Sequence, residues 1–400
     1  MTWQGAGGAE RGTASSDPTS DTWLEVTTVE DLLDHAPQRV NTLLGALDLD
    51  HPGLEKVKAA VQAGDKATAC RALLDYYADK GRKQWVVDRF GEPAQNHVQR
   101  ADLTLAGKHV AHGDVVGEVP ARHGAWDWNY RGPQDDREFA FNLNRHYFFN
   151  SLFQAWRKTG EGKYAEAFDR LVRDWTLHTV YPGRDKNVYT YTWRVLEAGL
   201  RLRPWTAAFH GFLASDRFTP AGRLLMLSSL VDHGHYVRKH HRSRHNHTLM
   251  ELDGLNRLAL AFPEFEKAAA WHRYAFSEML KEMDHQVYPD GAHDELSSGY
   301  HWVSLSSFES LAQFTMDAGR EVPKDYRQRL VEMYDYWAGL VRPDGSLPMN
   351  NRSGRSVVFL RQLGAWVVND RIHTDRPRQI TPMWRFHPER EVAWNEAGHL

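Results

Sequence analysis

Apolar residues recur every three or four positions along most of this chain, the period of helices that bury one face. Thr28-Val29-Glu30-Asp31 reads as a helix start with an acidic first turn, and two helices are predicted near 29–46 and 53–80. The second carries Leu54, Val57, Ala60, Val61, Ala67, Leu73, Leu74 and Tyr77, with Gly64 as a break and Gly81 as its end. Residues 82–135 lack the period and read as irregular. Trp85-Val86-Val87 and Gly113 to Val119 are expected there as short extended pieces.

From residue 136 onward the helical period is nearly continuous. It predicts helices over 143–158, 161–179, 189–213, 220–238, 246–261, 267–285, 303–318 and 324–341. Gly160 should stop the first of these, and Thr219-Pro220 should open the fourth, because proline suits a first helical turn. Tyr288-Pro289-Asp290-Gly291 and Arg342-Pro343-Asp344-Gly345 are similar turns 54 positions apart, the span of one helical hairpin with its loops. The pattern implies an all-α repeat of stacked helix pairs curved into a toroid. Residues 1–22 form an expected disordered tail, 23–350 the toroid, and 351–400 an irregular connector.

Composition narrows the partners. The 400 residues carry a formal net charge of −3, which gives the whole chain no bias toward nucleic acid or a membrane surface. No apolar run is long enough to span a bilayer. Residues 1–21 are rich in Gly, Ser, Thr and Ala without an apolar core, so no signal peptide is visible. Cys70 is the only cysteine, which excludes an intrachain disulfide and a cysteine-based zinc site. With 15 Trp, 15 Tyr and 22 His, the chain is rich in rings that stack on sugars, which favours a carbohydrate over a protein partner.

The densest chemistry lies at Arg244-His245-Asn246-His247-Thr248-Leu249-Met250-Glu251, where a polar loop meets a leucine-lined helix. Asn246 is expected to cap that helix. Glu251 lies one turn beyond His247, so its carboxylate can orient the imidazole. His233, His235, His240 and His241 crowd upstream, but Arg238, Lys239, Arg242 and Arg244 interleave with them and would repel a cation. That mixture suits an anionic ligand. A second constellation runs from Asp290 through His293, Asp294, Glu295 and Ser298-Gly299 to Tyr300 and His301, with a helix expected from about 303. Arg194 and Glu197, three apart, read as an ion pair. Trp126 and Trp128, in the Gly-containing stretch His123 to Tyr130, either plug one end of the fold or form a sugar-stacking wall.

In this order and spacing, the chain resembles the heparinase II/III-like polysaccharide lyases and the related alginate and oligoalginate lyases. The carriers are Asn246-His247 with Glu251, the block from Tyr288-Pro289-Asp290-Gly291 through Glu295-Leu296-Ser297 to Tyr300-His301, the Trp193-Arg194, Glu197-Ala198, Arg201 helix, and Pro343-Asp344-Gly345. The resemblance spans roughly 40–350. It implies an incomplete (α/α) toroid followed by an antiparallel β-sandwich that is not evident in this chain, and β-elimination on a uronic-acid-containing glycan of the heparan sulfate or alginate type. By match, Asn246 would neutralise the uronate carboxylate, Tyr300 would act as base and acid, and His247 would assist. Arg244, His245, Glu251, His301, Glu295, Trp126, Trp128 and Arg194 are the accompanying candidates for substrate binding. No cofactor is expected in the toroid, since the family's structural metal belongs to the β-sandwich. Two rivals are a glycoside hydrolase using Glu251 with Asp294 or Glu295, and a glycan-binding toroid without catalysis.

Overall fold

The computed structural model describes residues 21–81, 83–89 and 93–341, with the backbone of 353–360 and 365–372. Its helices are α1 (Val29–His35), α2 (Pro37–Leu44), α3 (Glu55–Gln62), α4 (Lys66–Tyr76), α5 (Gln84–Asp88), α6 (Gln95–Leu105), α7 (Arg137–Leu143), α8 (Phe148–Thr159), α9 (Lys163–His178), α10 (Val195–Phe212), α11 (Pro220–His240), α12 (Asn246–Ala261), α13 (Ala268–Gln286), α14 (Ser298–Asp317) and α15 (Lys324–Leu340). They divide into a large unit, residues up to 296 with 300–339, and a small one formed by 297–299 and 340–400.

In the large unit, successive helices pair as hairpins and the hairpins stack in two layers. α8, α10, α12 and α14 make one layer; α9, α11, α13 and α15 make the other. Side chains stitch neighbours together: Asn256 of α12 donates to Thr315 of α14 at 3.1 Å, and Arg329 of α15 donates to Val287 O, just past α13, at 2.8 Å. This is the all-α, incomplete (α/α) toroid arrangement expected from the sequence. α10 is enclosed along nearly its whole length, so its Glu197 and Arg201 are buried and must find partners inside the fold.

α10 and α12 approach so closely that a Cβ on Gly199 would lie 2.6 Å from Glu251 Cα, and one on Gly254 2.1 Å from Gly199 O. Glycine is required at this crossing because the neighbours are backbone. Beside it, Arg201 is fully buried over the Trp175 ring, 4.1 Å from its centroid. It donates to Asn144 O at 2.6 Å, Thr192 O at 2.9 Å and His233 Nε2 at 2.9 Å, which fixes the segment leading into α10.

Local signals hold where they are short-range. Thr28 and Asp31 form a reciprocal cap at α1, Gly160 ends α8 in the left-handed conformation, and Thr219-Pro220 opens α11. Proline also divides the first predicted helix, since α2 begins at Pro37.

Other expectations are corrected. Trp85-Val86-Val87 is helical, within α5, because Val86 and Val87 turn into the core together. α6 occupies another part of the stretch read as irregular. Among the described residues only short ladders remain extended there: β1 (Lys108–Val110) with β2 (Val116–Glu118), and β3 (Ala121–Arg122) with β4 (Ala125–Trp126), both antiparallel. α14 begins at Ser298 rather than near 303. The expected tail lies outside the described residues through residue 20, and a 3-10 turn begins at Thr22. The second Pro-Asp-Gly turn also lies outside them.

In the small unit, β5 (Ser353–Leu360) pairs antiparallel with β6 (Ala365–Ile372), from Ser353 opposite Ile372 to Leu360 opposite Ala365. The irregular connector expected over 351–400 therefore contains a hairpin. Its Val357-Val358-Phe359 and Trp366-Val367-Val368 runs are β-branched and aromatic, which suits strands.

Candidate functional site

The loop between α11 and α12 is held from two sides by buried carboxylates. Glu251, 0% exposed on α12, accepts the Arg242 N–H at 2.8 Å. Glu282 on α13 accepts the Arg244 N–H at 2.9 Å and the Ser243 hydroxyl at 3.3 Å. Gln286 donates to His245 O at 3.3 Å. Arg244 takes a left-handed φ of 54°, and His245 is extended after it.

This geometry starts α12 at Asn246, as the predicted 246–261 span has it, but corrects the capping expectation. The N-cap is His245, whose Nδ1 accepts the His247 N–H at 3.1 Å. Asn246 becomes the first helical residue and is buried, and among the described residues its Oδ1 has no hydrogen-bond partner. His247 Nδ1, Thr248 Oγ1 and Glu251 Oε1 are likewise unpartnered. Four orphaned polar atoms within two turns mark a place that wants water or a polar ligand.

The expected pairing of Glu251 with His247 does not form. The carboxylate turns to the loop's main chain instead, and the imidazole faces positive charge. Burial first, then His245, Arg194, Arg242 and Arg145, push the His247 pKa down to about 3. It is therefore neutral near neutral pH. Burial raises Glu251 to about 7, with Glu197 reinforcing the shift and Arg242 and Arg194 opposing it.

Arg194 precedes α10 and grips the buried Glu197 with two guanidinium nitrogens, as the three-residue spacing implied. Arg145 joins the same carboxylate at 3.1 Å and reaches His112 Nε2 at 3.1 Å. Two guanidiniums thus converge on Glu197 beside His247, with Glu138 a further 3.9 Å partner of Arg145.

Tyr300 sits in the first turn of α14, 45% exposed. The two helix mouths are joined by a relay of side chains. His293 Nε2 is 3.0 Å from Gln286 Oε1, Gln286 holds His245 O, and the His293 N–H donates to His301 Nδ1 at 3.3 Å. The Asp294 charge also acts on His245, whose pKa burial lowers overall. His301 is committed to this framework: its other nitrogen lies 3.1 Å from Met333 O, and its ring stacks on Trp337. Asp294 and Glu295 are on exposed loop while Glu251 is enclosed.

Trp126 and Trp128 are buried against each other and Phe148, so they plug the fold and are not an open wall. The histidine crowd disperses. His233 is enclosed with Arg201, His235 faces Arg184 and Trp271, His240 reaches Arg184 O, and His241 reaches Tyr274. Arg145, Glu282, Gln286 and Tyr189 were not singled out from sequence. Tyr189 did leave a local signal, the alternation Tyr189-Thr190-Tyr191-Thr192 before Trp193-Arg194. The other three act across distances of 38 to 52 residues that leave none.

Known proteins resemble this chain in sequence and in fold. A heparin-sulfate lyase from Bacteroides stercoris is 30% identical over 341 residues, covering 78% of this chain and 50% of that protein. One from Pedobacter heparinus is 27% identical, covering 76% and 47%. The crystal structure of the heparan sulfate lyase HepC from Pedobacter heparinus superposes with a TM-score of 0.64 at 26% identity, over 77% of this chain and 49% of that one. The chain spans about half the length of the relatives it matches. The heparinase II/III N-terminus model matches residues 43–368, and the chain belongs to that family.

Proposed function

We propose that this chain provides the helical part of a polysaccharide lyase that cleaves a heparan-sulfate-like glycan by β-elimination. The observation that carries the reading is the α12 mouth. There, Arg145, Arg194 and Arg242 impose positive charge on a neutral His247 next to the buried Asn246. The names of the relatives support the same substrate class.

Removing the proton alpha to a uronate carboxylate builds negative charge on that carboxylate. An amide N–H from Asn246, with the nearby guanidiniums, would stabilise it. Tyr300, as phenolate, takes the carbon proton. The electron pair forms the ring double bond, the glycosidic C–O bond breaks, and the phenol returns its proton to the leaving oxygen. Neutral His247 assists as a hydrogen-bonding group.

The test is incubation with heparan sulfate and other uronate polymers, reading the ultraviolet absorbance of an unsaturated uronate. Tyr300→Phe should lower kcat by about 10²–10⁴-fold with the fold intact, and Asn246→Ala by about 10²–10³-fold. No absorbance with any uronate polymer, from a version that includes all of the protein, sinks the proposal. New reducing ends without a double bond would point to hydrolysis instead, and binding without product to a non-catalytic role.

A further inference from the structure

A cavity of about 530 Å³ opens beside Arg194, lined by Asn129, Arg131, Arg137, Tyr189, Thr190 and Tyr191. Every lining side chain is polar or phenolic, two are guanidiniums and none is a carboxylate. Arg137 donates to the Tyr189 hydroxyl at 2.9 Å, and Arg194 donates to the same oxygen at 3.2 Å. With two cationic donors on its oxygen, the Tyr189 phenol is left to point its own proton elsewhere. Among the described residues Arg137 has no carboxylate partner, and it lies over the Tyr189 and Phe141 rings, 5.8 and 5.7 Å from their centroids. Arg131 pairs with Asp135 at 3.3 Å, yet its Nε is buried without a partner.

Arg131 is offset by Asp135 and Arg194 by Glu197, but no carboxylate among the described residues offsets Arg137. Tyr189 is 57% exposed, so an aromatic face and a guanidinium stand side by side at the surface. A ring to stack on and a fork of donors to hold an anion suit a sugar carrying a negative substituent. The cavity is also wired to the candidate site, since Arg194 touches both Tyr189 and Glu197.

We infer that this cavity is a subsite for an anionic sugar ring, gripped by Arg137 and Arg131 and stacked on Tyr189, which selects charged glycan next to the α12 mouth. The inference rests on the proposed lyase reading for the class of ligand, but the cavity itself is independent of catalysis. The anionic substituent is either a sulfo group or a carboxylate, and the test separates these sources.

Binding is measured by calorimetry on the full chain carrying Tyr300→Phe, which slows turnover of the probe. One arm uses a heparan-sulfate-derived hexasaccharide, the other its desulfated counterpart, which retains the carboxylates. Arg137→Ala, on an exposed side chain, should weaken binding about tenfold or more. Arg137→Lys should restore part of it, and Tyr189→Phe should lose a smaller fraction. Loss in the sulfated arm alone assigns the site to a sulfo group, and loss in both arms to a carboxylate. An unchanged Kd for Arg137→Ala in both arms overturns the subsite, as does a hexasaccharide that does not bind. Arg137-dependent binding with no unsaturated product from the parent protein would overturn the lyase reading and leave the subsite standing.

Discussion

His247 and Glu251 occupy one helix turn yet titrate in opposite directions. Burial lifts Glu251 to about 7 from 4.5. Between these values the folded chain holds a proton that the unfolded chain has released, so stability falls as pH rises through the window. At about 1.4 kcal/mol per pH unit, the loss is on the order of 3 kcal/mol. His247 is lowered to about 3 from 6.5. There the unfolded chain holds the extra proton, so stability falls as pH drops. The two slopes oppose each other where the windows overlap. Glu251→Gln keeps an acceptor for the Arg242 N–H and should raise Tm more at about pH 8 than at about pH 5. His247→Gln should flatten the acid-side loss between about pH 6 and 4. Thermal melts across pH check both; a Glu251→Gln effect that is equal at the two pH values would contradict the assignment.

At the scale of elements, the α10–α12 crossing sets the site. Gly199 and Gly254 let the two helices touch, and Glu197 and Glu251 meet the loop and the arginines as a result. Gly254→Ala would drive a Cβ into the Gly199 carbonyl. It should cost about 2–3 kcal/mol or more, because backbone rather than a flexible side chain must move. A lower denaturation midpoint at unchanged m reads this out, and a midpoint equal to the parent's would show that the helices can part. The helices themselves were legible in the sequence because a buried face repeats every 3.6 residues. α5 and α6 were not, because α5 is a single short turn and α6 buries only Ala101 and Thr104, too few apolar positions to show a period. The first turn of α14 was read as loop because Ser298-Gly299 carries weak helix propensity, which tertiary context overrode.

Over the whole molecule, the net charge of −3 hides a cationic cluster. Arg131, Arg137, Arg145 and Arg194 are drawn together from two stretches of chain, with Glu197, Asp135 and Glu138 as partial counterweights. Capture of an acidic glycan should therefore weaken as salt rises from about 0.05 to 0.5 M, where the screening length falls from above to below roughly 10 Å. Kd measured across that range tests it. A Kd independent of salt would favour stacking over charge.

The sequence by itself determined the helical hairpins, their order, the caps at Thr28, Gly160 and Thr219, and the two helix mouths carrying Asn246 and Tyr300. Those features depend on residues a few positions apart. Tertiary structure decided what each side chain at the mouths does. It gave the N-cap to His245 and turned Glu251 from His247 to the Arg242 main chain. It also sank Trp126, Trp128 and His301 into the framework and drew Arg145 and Tyr189 to Arg194. Such outcomes depend on which groups burial leaves without water, and burial is set by helices meeting across the fold.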